Sequence, residues 1–146
     1  MKTFDVIALG ELNVDLILNR IAGFPEVGKE IFARDMICTL GSSTAIFAAN
    51  VSALGARTAF AGMIGRDAFG ELVRGSLEAR GGDTRYVIEA ADRATGVTVV
   101  MSYGEDRANV TYPGAMEALR FADLDPEIFL SARHIHLSSL FMQPGL

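Results

Sequence analysis

Two short apolar runs set the architecture. Val6-Ile7-Ala8-Leu9 is uninterrupted and ends at Gly10; Thr58 to Ile64 is nearly as apolar and ends at Gly65. A strand with one wet face alternates apolar and polar residues. One that is apolar at every position must be covered on both faces, as in a parallel sheet clad with helices. Parallel neighbours need crossover connections, most often helical. The sequence supplies them. Gly41-Ser42-Ser43-Thr44 offers several N-caps to a helix over Ala45 to Leu54. On that helix Phe47, Val51 and Leu54 share one stripe. Ala45, Ala49, Ser52 and Ala53 form a neighbouring face small enough to lie close against a sheet, and Gly55 follows as the C′ residue. Asp67 caps a second helix with apolar Phe69, Leu72, Val73 and Leu77, stopped by Gly81-Gly82.

The remaining segments read mostly as strands. Val14 to Leu18 is an apolar run split by Asp15, followed by a turn at Pro25 and Gly28. Ile31 to Leu40 holds a strand centred on Met36 and Ile37. Thr95 to Tyr103 is rich in Val and Thr and continues through Gly104-Glu105-Asp106 into a return strand, Ala108 to Tyr112. Asp125-Pro126 opens a short helix containing Ile128 and Phe129. In the last strand, Arg133 to Ser138, Ile135 and Leu137 alternate with His134 and His136. The order is that of an α/β fold with an inserted β-element. Another crossover helix is expected after the last strand, so the chain reads as about half of a larger single domain. Its charge of -5 is spread without a basic stripe, which argues against nucleic acid as a partner. No apolar run is long enough for a bilayer and no signal-peptide pattern opens the chain, so no membrane partner and a cytoplasmic location are expected. The single cysteine, Cys38, is expected to be a small buried hydrophobe.

Three glycine-bearing segments stand out. Gly10-Glu11-Leu12-Asn13-Val14-Asp15 follows the first strand. Gly41-Ser42-Ser43-Thr44-Ala45 runs into Ala48-Ala49-Asn50-Val51. Gly62-Met63-Ile64-Gly65-Arg66-Asp67-Ala68-Phe69-Gly70 has the form G-x-x-G-x-D-x-x-G. In this order and spacing they resemble the N-terminal part of ribokinase-like (PfkB-type) carbohydrate kinases. Pro25 to Glu30 is similar to the family's turn before a lid strand, and Asp83 to Val87 to the strand after its second helix.

The resemblance implies a three-layer α/β/α fold with a small β-sheet lid, here truncated to its N-terminal half and occupying residues 1–146. The lid strands would lie at about 14–18, 31–40, 95–103 and 108–112. It implies a sugar or nucleoside as substrate, ATP and Mg²⁺ as cofactors of a full-length parent, and a homodimer through the lid as an arrangement open to that parent. Asn13 and Asp15 would hydrogen-bond sugar hydroxyls, which need both acceptors and mixed donor–acceptor groups. Open α/β sheets bind ligands at the carboxyl ends of their strands, where these residues lie. Gly41, Ser42 and Ser43 would add a helix N-terminus, and Ser139 a polar contact after the last strand. Ser42 stands where the family has a second glycine, and Ile46 where an Asn often touches the sugar, so a changed specificity is expected. Met101, Val110 and Tyr112 are candidates to face the ligand, with packing inside the lid as the expected role.

The family's late Gly-Ala-Gly-Asp, with its phosphate-holding helix start and catalytic Asp, is absent from the sequence, as is a P-loop Gly-Lys-Ser/Thr. No catalytic residue is therefore assigned, ATP and Mg²⁺ are not expected to bind this chain well, and the chain alone is not expected to be a competent kinase. A stand-alone, non-catalytic sugar-binding or regulatory module is the alternative. A dinucleotide-binding domain is disfavoured, because no Gly-x-Gly-x-x-Gly follows the first strand. His134 and His136 share a strand face but lack neighbouring ligands in sequence, so structural or surface roles are expected and no metal site is assigned.

Overall fold

The computed structural model describes residues 2–146. Strands β1 (Phe4–Leu9), β4 (Thr58–Gly65), β5 (Asp83–Ala90) and β8 (Ala132–Leu137) form a parallel sheet in the order β5-β4-β1-β8. A second sheet has the order β3-β2-β6-β7, from β2 (Asn13–Asn19), β3 (Asp35–Leu40), β6 (Gly96–Tyr103) and β7 (Asp106–Tyr112). Its central pair, β2 and β6, is parallel, and the two edge strands are antiparallel to their neighbours.

The apolar runs behave as their composition requires. Ile7, Leu9, Ala59, Ala61 and Met63 face a layer built from the 3-10 turns Gly114–Ala118 and Phe121–Asp123 and the short helix α3 (Glu127–Leu130), through Ala115, Leu119, Leu124 and Ile128. Ala8, Phe60 and Ile64 face helices α1 (Ser43–Ala53) and α2 (Ala68–Glu78), through Ala45, Ala48, Ala49, Val73 and Leu77. The sheet is thus clad on both sides, and a strand alternating between two apolar layers reads as a continuous apolar run. No helix among the described residues is long and apolar enough to cross a membrane.

On α1 the small face meets the sheet, as its side-chain size allows: Ala45, Ala48, Ala49 and Ser52 are buried, whereas Ala53 is exposed and Leu54 is 88% exposed. Close approach selects for side-chain size, and Phe47 instead stacks on His136 of β8 with ring centroids 3.7 Å apart. The β3 strand begins at Asp35 rather than Ile31. Cys38 is exposed, because β3 is an edge strand with little covering it.

The G-x-x-G-x-D-x-x-G segment forms the joint between the two sheets. The Asp67 carboxylate caps α2 by accepting from Gly70 N (2.8 Å). It also accepts from Thr95 N (2.8 Å) and Thr95 Oγ1 (2.7 Å), just before β6. Thr95 Oγ1 in turn accepts from Gly65 N at the end of β4 (2.9 Å). Burial alone would raise the Asp67 carboxyl, but these donors outweigh it and hold it below the usual carboxylate range. A Cβ on Gly65 would stand 2.5 Å from Arg93 O and 2.6 Å from Thr95 N, so only glycine permits this crossing.

Candidate functional site

The carboxyl ends of β1 and β8, the N-terminus of α1 and the inner face of the second sheet converge on a cavity of about 360 Å³. Its lining includes Glu11, Asn13, Asp15, Ser42, Ser43, Thr98, Arg107, Asn109, Thr111 and Ser139. Five of the six residues singled out from sequence line it. The sixth, Gly41, lies directly behind Asp15: a Cβ there would stand 2.7 Å from Asp15 Cγ and 2.9 Å from Asn13 Nδ2. The absence of a side chain at Gly41 is what lets β2 carry both polar groups beside the helix start.

Asn13 is buried and orients its neighbour. Its Nδ2 donates to Asp15 Oδ1 (3.1 Å) and to Thr98 Oγ1 (2.9 Å). Thr98 and Thr111 continue the chain of hydroxyls across β6 and β7 at 3.0 Å. Burial raises the Asp15 carboxyl above its ordinary value, against the opposing Asn13 hydrogen bond and the charge of Arg107. Asp15 therefore stands partly stripped of water with acceptor capacity left over, a state that ligand hydroxyls would relieve.

Glu11 organises the other wall. It is only 4% exposed. Its two carboxylate oxygens accept from Ser43 Oγ (3.1 Å) and Thr44 Oγ1 (3.0 Å). Ser42 Oγ donates to Glu11 O (2.6 Å) and accepts from Ala45 N (3.1 Å), which makes it the N-cap of α1. Ser138 lies 2.6 Å from Thr44 Oγ1, and Ser139 lies 3.0 Å from Ser43 Oγ, tying β8 into the same network. Ser42 (φ 69°) and Ser139 (φ 54°) are two of three non-glycine residues with positive φ among the described residues. Such strain, about 1–3 kcal/mol each, is held where the surroundings over-determine it, commonly at functional sites.

Glu11, Thr98, Arg107, Asn109 and Thr111 were not assigned from sequence. The signal for three of them was present: Arg107, Asn109 and Thr111 alternate along β7, which places them on one face. That alternation puts Val110 and Tyr112 on the opposite face of β7, and Met101 is not part of the lining either, so none of these three lesser candidates lines the cavity. Ile46 is likewise outside the site. It lines a separate recess with Thr39, Leu40, Ser76, Ala79 and Arg80, because it points from α1 away from the cavity.

His136 is taken up by Phe47, and among the described residues no cluster of three or more His, Cys, Asp or Glu is arranged to hold a metal. The residues described do not fit the phosphates of ATP. The N-termini of both long helices are closed by carboxylates, Glu11 at α1 and Asp67 at α2, and would repel an anion. A larger recess, about 730 Å³, lies near Arg93, Glu117, Arg120 and Pro144, but it gathers no comparable set of hydrogen-bonding groups.

Residues 3–146 match the sequence profile described as pfkB family carbohydrate kinase. An uncharacterized sugar kinase of Archaeoglobus fulgidus is 28% identical over 96 residues, 66% of this chain and 38% of that protein. The fructokinase of Halothermothrix orenii superposes with a TM-score of 0.77 at 28% identity, over 91% of this chain and 45% of that one. An uncharacterized sugar kinase from Pyrococcus horikoshii, solved in complex with ATP, has the same fold, with a TM-score of 0.77 at 24% identity over 90% of this chain and 42% of that one. The chain thus spans less than half the length of these relatives.

Proposed function

The chain belongs to the pfkB family of carbohydrate kinases, and from that premise we propose that it supplies the sugar-binding portion of an ATP-dependent sugar kinase. The observation that carries this reading is the convergence of Asn13, Asp15, Ser42, Ser43, Thr98 and Ser139 on one cavity under the second sheet. In this reading the second sheet is the lid over the sugar.

The chemistry follows from the groups in place. Each sugar hydroxyl is both donor and acceptor, so a site for it needs both partners in fixed geometry. Asp15 accepts from one or two hydroxyls. Its own position is fixed by Asn13, whose amide protons are already engaged by Asp15 and Thr98. Ser43 and Ser139 offer rotatable hydroxyls. Glu11 holds Ser43 from behind and orients the start of α1.

Transfer of phosphate is not assigned to these residues. ATP supplies the phosphoryl group in the family reaction, but the carboxylates that close α1 and α2 leave no cradle for it. The protein incubated with ATP, Mg²⁺ and a panel of sugars and nucleosides is expected to form no ADP above background; robust turnover would overturn this division of labour. Sugar binding itself is tested by calorimetry. Asp15→Ala removes charged hydrogen bonds, and should weaken binding by about 2–4 kcal/mol. Unchanged affinity in a folded variant would assign Asp15 to turn structure.

A further inference from the structure

Of the residues that line the cavity, Arg107 alone is cationic. It stands on the inner face of β7 with Asn109 and Thr111, and none of the ion pairs among the described residues involves it. Arg57, Arg74 and Arg85 are held by carboxylates, while Arg34, Arg80, Arg93 and Arg120 are in none of these ion pairs either; what sets Arg107 apart is its place in the cavity lining. A guanidinium presents a planar fork of donors suited to carboxylate and phosphate.

Its position along the lid is informative. Asp15 pairs with Thr98, and Thr98 with Thr111, so these three share one row across the sheet. Arg107 pairs with Ser102 and stands four residues along β7 from Thr111. At about 3.3 Å per residue that is roughly 13 Å of strand, which the long Arg side chain partly closes. Asn109 and Val100, themselves a cross-strand pair, line the cavity between the two ends. One end of the cavity therefore offers acceptors and hydroxyls, and the other a lone cation.

We propose that the ligand of this cavity is an anionic sugar, with hydroxyls at the Asp15 end and a carboxylate or phosphate group at Arg107. This rests on the sugar-site reading above and narrows it. A neutral sugar would leave the exposed Arg107 guanidinium to water and to the more distant Asp15 carboxylate, whereas an anionic one gains a charge-assisted, salt-sensitive contact.

The test is calorimetric titration of the protein with matched pairs: D-fructose against D-fructose 6-phosphate, and D-glucitol against D-gluconate. At least one anionic member should bind about tenfold to a hundredfold tighter than its neutral partner, as expected for a hydrogen-bonded charge pair. The pair with the larger preference assigns phosphate or carboxylate. Arg107→Gln should abolish the preference and Arg107→Lys should retain part of it, with circular dichroism confirming that the β6–β7 hairpin is intact. Equal binding of neutral and anionic partners, or a preference that survives Arg107→Gln, would overturn the anionic assignment while leaving the sugar site standing. No binding by any of the four would overturn the sugar-site reading, and this inference with it.

Discussion

Gly41→Ala puts the geometry of the cavity under direct strain. The new methyl would stand 2.7 Å from Asp15 Cγ and 2.9 Å from Asn13 Nδ2, against an ordinary contact of at least 3.4 Å. Asp15 Oδ1 would lie closer still, so something must move by about 1 Å to restore van der Waals separation. The backbone of β2 is fixed by pairing to β3 and β6 on either side, so the Asp15 side chain yields first. It would lose the 3.1 Å bond from Asn13, worth about 1.5–3 kcal/mol for a charged acceptor, and adopt a poorer rotamer at about 0.5–1.5 kcal/mol. Part of this is recovered as Asp15 rotates toward water. The expected net destabilisation is about 1–2 kcal/mol, with a much larger loss in sugar binding, at least thirtyfold, because the displaced carboxylate no longer meets the ligand. Chemical denaturation and calorimetric titration of the same preparation separate the two effects. Sugar affinity within twofold of the parent, in a variant of unchanged stability, would refute the claim that Gly41 sets the position of Asp15.

Asp67→Ala should destabilise the fold by about 2–4 kcal/mol in denaturant, because it removes a helix cap and leaves the buried Thr95 without its acceptor. The same carboxylate predicts an acid-side response. Its folded pKa is depressed, so its contribution is present above the unfolded value near 3.9 and is lost as pH falls through the lower folded value. Asp5, held by Arg57 at about 2, acts in the same direction, so a stability profile that stayed flat from pH 5 to pH 2 would contradict both assignments. Ile46→Asn should leave sugar preference unchanged, since Ile46 lines a different recess; a shifted binding profile would show that α1 sits differently in solution. Light scattering across concentration should show self-association, because β8 is a sheet edge and Ile135, Leu137 and Phe141 are exposed beside it. A sharp monomer at all concentrations would argue that this edge is harmless.

The sequence carried the parallel sheet well because β1 and β4 are apolar at nearly every position, and few structures tolerate that. Asn13, Asp15 and the α1 N-terminus came from the family resemblance, since polar residues after a strand more often just shape a turn, and the structure brings them to one cavity. The small face of α1 was legible as the one to meet the sheet, since close helix–sheet contact favours Ala45, Ala49 and Ser52; only Ala53 was grouped with it wrongly, being at the exposed end of the helix. Ile46 was drawn into the site by its place in the motif, and only the helical phase shows it pointing elsewhere. Glu11 gave little signal, because a carboxylate with 4% exposure is intelligible only once Ser43 and Thr44 are known to face it. Cys38 looked buried because short apolar strands usually are, and nothing local marks β3 as a sheet edge.

The most direct test of the account is residue-level mapping of sugar binding by NMR on isotope-labelled protein, titrated with the tightest-binding sugar of the calorimetric panel. The account predicts saturable shifts at Asn13, Asp15, the Gly41–Thr44 turn and Thr98, with residues around Arg93 and Arg120 unmoved. Shifts confined to that second recess, or none at millimolar sugar, would contradict it.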